Sequence, residues 1–239
     1  RVGALLQLIS LTAGALAYGY TTSFARPLLM TGRLEKMAPR RLSETASWVI
    51  TATRPGALQP GREGVRASIR IRIVHALVRR RIVAAGAWDE ANWGVPLSIG
   101  DTLATGIIGF FAYPVTGLRR LGVDYSDDEL EAMSHLWTYV SWLMGVPEAL
   151  LPRDAGQAFA YANAGYDLDS ATVPGSDELM AALLRSSMLP ADLLPGPLAG
   201  AINRGFGIGV AAVARDWMGD ERADAVAIPR TPARHLVLP

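Results

Sequence analysis

An all-α chain is predicted by three features of these 239 residues. Apolar residues recur at helical spacing in stretches without Gly or Pro, as in Val65–Ala85, which is too long for one strand. Helix-start chemistry recurs, most plainly in Ser126-Asp-Asp-Glu129. No alternation of strand and helix patterns appears, and no internal repeat. Half of the residues are hydrophobic and 19% are charged, so a sizeable core is available. No composition shift marks a linker, and residues 1–239 are expected to form one domain.

The elements follow in chain order. Val2–Ala25 carries no charge and is long enough to span a bilayer. Gln7, Ser10, Thr12 and Thr21-Thr22-Ser23 dilute it, so a buried core helix is expected, with a membrane helix as the alternative. Thr31-Gly-Arg33 reads as a turn. Arg40-Arg41-Leu-Ser-Glu-Thr45-Ala-Ser-Trp48 reads as a helix start. Arg54–Arg62 is a Pro- and Gly-rich loop. The helix of Val65–Ala85 ends near Gly86, and Trp88–Pro96 is a connector. Ser98 and Asp101 offer N-cap chemistry ahead of an apolar helix, Thr102–Tyr113. Pro114 should interrupt that helix, and Leu118–Gly122 ends its continuation. Ser126 opens the helical run Glu129–Met144, stopped by Gly145-Val-Pro147. A more polar helix near Gly156–Ala164 follows, then one from Ser176 to about Met188. Pro190–Pro197 is proline-punctuated, Ala199–Trp217 is a small-residue helix, and the tail from Ile228 is irregular. About eight helices around one core are expected.

Composition excludes several chemistries. The chain has no cysteine, so disulfides, thiolate–zinc sites, cysteine-held iron–sulfur clusters and thioether-attached haem are ruled out. A net charge of +1 argues against a nucleic-acid binder. No G-x-S-x-G or H-E-x-x-H motif occurs. Gly205-Phe-Gly-Ile-Gly209 follows no predicted strand and reads as close helix packing rather than a phosphate loop. The chain starts at Arg1, so an N-terminal segment with any targeting signal is expected to be missing. A cytoplasmic or membrane-peripheral location is expected rather than secretion. Nothing in the sequence sets the oligomeric state.

The three histidines, His75, His135 and His235, are too scattered for a multi-histidine metal site. His75 stands out in Arg66-Ala-Ser-Ile-Arg-Ile-Arg-Ile-Val-His75-Ala-Leu-Val-Arg79. On a helix Arg72, His75 and Arg79 fall within roughly 60° of one another. A lone histidine on such a helix is more often a satisfied core residue than a ligand, and the arginines could form a solvated face. A neutral imidazole between two cations is nevertheless suited to bind iron, with guanidinium groups beside it to meet an anion. A haem needs both. On the preceding helix, Arg41 and Thr45 share a face four residues apart, with Glu44 beside them as an acid/base candidate. An ordinary surface pairing explains them equally well. His135, Phe110, Phe111 and Tyr113 read as core or pocket-lining.

Taken together, Arg41-Leu-Ser-Glu-Thr45 with Trp48, His75-Ala-Leu-Val-Arg79, Pro96-Leu-Ser-Ile-Gly-Asp101 with Thr105, Ser126-Asp-Asp-Glu-Leu-Glu131 with His135-Leu-Trp137-Thr-Tyr139, Gly145-Val-Pro147 and Arg215-Asp-Trp-Met-Gly-Asp220 resemble the latex-clearing-protein (rubber oxygenase) and MpaB-type oxygenase family. The resemblance implies a globin-related bundle around a non-covalent b-type haem. It implies His75 as the iron ligand, Arg72 and Arg79 as haem and propionate partners, and Thr105 as a pocket threonine. Arg41 and Thr45 match the family's R-x-x-x-T pattern near the haem. Where the rubber oxygenases carry a lysine this chain has Glu44, and their upstream catalytic glutamate has no acidic counterpart between Phe24 and Leu29. The implied activity is haem-dependent oxygenation by O2 of a small, apolar, isoprenoid-like alkene with cleavage of its double bond. A haem protein without that activity, or a haem-free module associated peripherally with a membrane, is the alternative.

Overall fold

The charge-free N-terminal stretch forms a core helix. The computed structural model describes residues 4–30, 34–168, 172–186 and 196–232. Helix α1 runs over 4–20 and is wound as a wider π-helix across Ser10–Leu16. Its polar residues are accommodated locally: Thr12 Oγ1 donates to the Leu8 carbonyl at 2.8 Å, and Thr21 Oγ1 to that of Tyr18 at 2.8 Å. Leu11, Ala13, Ala15 and Ala17 are buried against Val213, Ala214 and Trp217 of helix α10 (Gly196–Met218). Among the described residues, no helix is long and apolar enough to cross a membrane.

Eight helices of ten residues or more make up the described architecture, and no strand is found among the described residues. After α1 and the short α2 (Ala25–Met30), α3 (Leu34–Thr53) and α4 (Glu63–Ala84) form an antiparallel pair. Gly64 makes this hairpin tight: its N–H donates to the Ala57 carbonyl at 3.0 Å, and a Cβ there would lie 2.8 Å from that oxygen. The one-turn α5 (Glu90–Trp93) breaks the connector that the sequence suggested. Helix α6 covers 99–120, α7 Asp127–Leu143, α8 Ala155–Leu168, α9 Ser176–Arg185, and α11 Asp220–Ala225 follows α10. Both expected caps form. Ser98 with Asp101, and Ser126 with Glu129, each exchange side-chain and backbone hydrogen bonds.

Pro114 does not interrupt α6. Residues Ala104–Ala112 are wound as a π-helix directly before it, which absorbs the missing N–H and the bulk of the ring. Below α6, Ile107, Phe111 and Val115 pack with Trp137 and Val140 of α7 and Ala158 of α8. Gly207, inside the glycine-rich stretch, sits where a Cβ would lie 2.5 Å from the Leu184 carbonyl. Close packing of α10 on α9 therefore rests on Gly207, while a Cβ at Gly205 or Gly209 would meet nothing within 4 Å. The turn at 31–33, the end of the helix expected to reach Met188, His235 and the tail from 233 lie outside the described residues.

Candidate functional site

Helix α4 has two faces, and the histidine lies on the inner one. Gly64, Ala67, Ser68 and Ile82 are buried; Ile71, His75, Val78 and Arg79 are partly buried along the same stripe. Burial disfavours the imidazolium, and the Arg79 charge adds to that, so the pKa of His75 lies below its ordinary 6.5. The ring is neutral around pH 7, with a nitrogen lone pair. Among the described residues no hydrogen bond reaches it.

The two flanking arginines act on loops. Arg79 Nε donates to the Pro96 carbonyl at 2.8 Å, and its Nη2 to the carbonyl of Leu97. Leu97 has φ +49°, a left-handed conformation that leucine rarely adopts. Arg79 thus holds a strained turn two residues before the start of α6. Arg72 Nη1 reaches the Leu143 carbonyl at the end of α7, at a weak 3.5 Å. Its guanidinium lies over Gly145, which has φ +106° and where a Cβ would come within 2.9 Å of it. The backbone angle requires glycine there, whereas the guanidinium ends a flexible, exposed side chain that can shift aside.

The residues expected on α3 are distributed unevenly. Thr45 is partly buried. Glu44 is exposed and paired with Arg40 at 2.7 Å, so the partial burial that acid/base work needs is lacking there. The side chain of Arg41 lies outside the described residues. Thr105, partly buried in the π segment of α6, donates to its own helix at Asp101 at 2.7 Å. Trp48, one turn after Thr45, donates through its indole N–H to Ser68 Oγ at 3.1 Å, and Ser68 donates to Gly64 at 2.9 Å. The Trp48 ring meets Phe110 and Trp137 edge-on at 5.5 and 5.9 Å, and those two rings stack at 4.9 Å. An apolar aromatic wall therefore joins α3, α6 and α7 beside the helix that carries His75. His135 is exposed; it lines a polar groove of about 360 Å³ with Glu131, Thr138 and Arg153 that does not include His75. No group of three or more His, Asp or Glu fit to hold a metal ion occurs among the described residues.

Residues 3–238 match the family described as ER-bound oxygenase mpaB/B′ and rubber oxygenase, catalytic domain. The chain belongs to the MpaB and rubber-oxygenase family. It is 27% identical over 142 residues to the rubber oxygenase of Streptomyces sp. (strain K30), which covers 57% of this chain and 34% of that protein. Its fold is similar to that of a latex clearing protein in its closed state, with a TM-score of 0.73 and 20% identity, over 94% of this chain and 58% of the other. The chain thus spans about a third of the one relative and somewhat over half of the other.

Within this MpaB and rubber-oxygenase fold the structure brings His75, Arg72 and Arg79 together on α4. Ser68 escaped the sequence reasoning. It lies seven residues before His75, two turns along the same face, and that spacing is the signal that could have found it. The Pro96 and Leu97 carbonyls leave no side-chain trace in a sequence. Gly145 showed only as a helix stop, whereas Arg72 also lies over it.

Proposed function

We propose that this member of the family is a haem b-dependent oxygenase that uses O2 to cleave a carbon–carbon double bond of an apolar, isoprenoid-like alkene. The observation that carries the reading is His75: a neutral, half-buried imidazole without a hydrogen-bond partner among the described residues. A b-type haem fits this donor set. It brings four ligands of its own and asks the protein for one neutral histidine and for cations near its carboxylates. His75 would ligate the iron. Arg72, exposed and only weakly engaged, has donors left for a propionate, and Arg79 has its Nη1.

When bound, haem supplies the redox-active iron at which dioxygen becomes reactive toward an alkene. The chain's own part is binding, orientation and exclusion of water. Thr45 would offer a hydroxyl donor and, by its place in the R-x-x-x-T pattern alone, Arg41 would supply a cation, while Trp48, Phe110 and Trp137 give an apolar wall against which an alkene can lie. One alkene and one O2 give two carbonyl products, so the reaction balances without an external reductant.

A second reading, a haem protein without alkene turnover, is favoured by one observation. Helix α2 holds no acid, and Glu44 faces solvent. Hemin titration into the purified chain tests the site. We expect a Soret band that His75→Ala removes and added imidazole restores. A colourless protein, or an unchanged spectrum in the variant, overturns the assignment. Oxygen uptake with carbonyl formation from an oligoisoprenoid then separates the two readings.

A further inference from the structure

The arginines of α4 that do not flank His75 lie on the opposite side of the helix. At about 100° per residue, Arg66, Arg70, Ile73, Leu77, Arg80 and Ala84 follow one line along the outer surface. Ile69 and Val74 flank the line. No described residue covers the apolar side chains of this crest: Ile69 is 42% exposed, Ile73 and Val74 53%, and Leu77 56%. Arg66, Arg70, Arg80 and Arg81 are all exposed. The crest therefore has an apolar middle of about 12 Å with two arginines at each end. The one acidic residue of the helix, Glu63, pairs with Arg70.

The geometry points to this outer face of α4 as a docking surface for an anionic lipid bilayer, with the helix lying in the plane of the interface. Charge complementarity selects the occupant. Four arginines against a single glutamate call for a surface of spread negative charge. Three or four branched aliphatic side chains between them contribute nothing to binding a phosphodiester backbone, but they enter the acyl boundary beneath headgroups. Arginine stems are long enough to keep their guanidinium groups among phosphates while the isoleucine and leucine sink deeper. The same helix would then carry His75 on its inner side and the membrane on its outer side. The inference rests on exposure and charge alone and stands whether or not the protein binds haem.

Co-sedimentation of the full chain with vesicles tests it. Binding is expected to vesicles of phosphatidylcholine mixed with phosphatidylserine, to weaken as salt rises, and to be at least tenfold weaker on phosphatidylcholine alone. Each arginine near such a surface strengthens binding roughly fivefold, so Arg80→Gln with Arg81→Gln should weaken it about 25-fold. Ile73→Glu with Leu77→Glu should remove it, while the circular dichroism and melting of the protein stay unchanged because both side chains are more than half exposed. No binding to the mixed vesicles, equal binding to both kinds, or binding that the variants leave unaltered overturns the inference. Self-association that Leu77→Glu abolishes, without vesicle binding, overturns it too and assigns the face to a second copy of the chain.

Discussion

Replacing Arg79 by methionine removes the cation beside His75 and both donors to the strained turn ahead of α6. The side chain keeps most of its bulk, so the change is largely electrostatic. Two hydrogen bonds from a charged donor, part-buried, contribute about 1.5 kcal/mol each at the low end of their range. Release of the left-handed Leu97 returns roughly 1 kcal/mol. The net loss is about 2 kcal/mol, which for a chain of this size lowers Tm by roughly 4–8 °C. Thermal melting with hydrogen exchange across residues 98–103 reads the effect, and protection should fall there first. The same variant should raise the pKa of His75, followed by NMR, but not fully to 6.5, because burial is the larger cause of its depression and remains. A melting point within 1 °C of the parent together with an unmoved His75 titration would refute the role given to Arg79.

Further outcomes follow from other contacts. Because the folded chain resists protonating His75 while the unfolded chain takes up the proton near pH 6.5, stability should fall as pH drops below that value; denaturant midpoints between pH 7 and 5 in the parent and in His75→Leu check it, the slope being shallower in the variant. Asp224, held below its ordinary pKa by hydrogen bonds from Arg215 and then Arg230, works at lower pH: its contribution is present above about 3.8 and is lost as pH falls further, a loss that Asp224→Asn should abolish. Ser68→Ala leaves the Trp48 indole N–H without its acceptor and should cost about 1–3 kcal/mol in urea unfolding. Gly117→Val drives a side chain into the Trp217 indole and should destabilise by at least about 1–3 kcal/mol. Glu44→Gln breaks an exposed pair only and should shift stability by less than about 0.5 kcal/mol, and a large loss of oxygen uptake in that variant would show that Glu44 takes part in the chemistry after all.

Local signals in the sequence were good guides to helices and caps. Ser98 with Asp101 and Ser126 with Glu129 are satisfied by neighbours three residues away, so their chemistry is readable without the fold. The helix of His75 was legible for the same reason, and its period even separates inner from outer arginines. Pro114 was misleading. Its effect depends on how the preceding turns are wound, which apolar periodicity does not encode. His135 reads as core or pocket-lining beside Trp137 and Trp142, and of the two it lines a groove. On the helix, however, it faces out with Trp142, while Trp137 faces in. Arg79 shows the limit most clearly. Its offset from His75 is visible in the sequence, but its hold on two carbonyls seventeen and eighteen residues away is a property of the assembled chain.

The widened windings of α1 and α6, Ser10–Leu16 and Ala104–Ala112, pack against each other. Each adds residues to a turn without adding a loop. Removing one residue from either would restore ordinary winding and shorten the helix while leaving the faces beyond it nearly where they are. Val115 and Leu118 would stay inside, but Pro114 would lose the slack that accommodates it. One residue of chain length ahead of Pro114 therefore decides whether a proline can sit inside this helix without a kink.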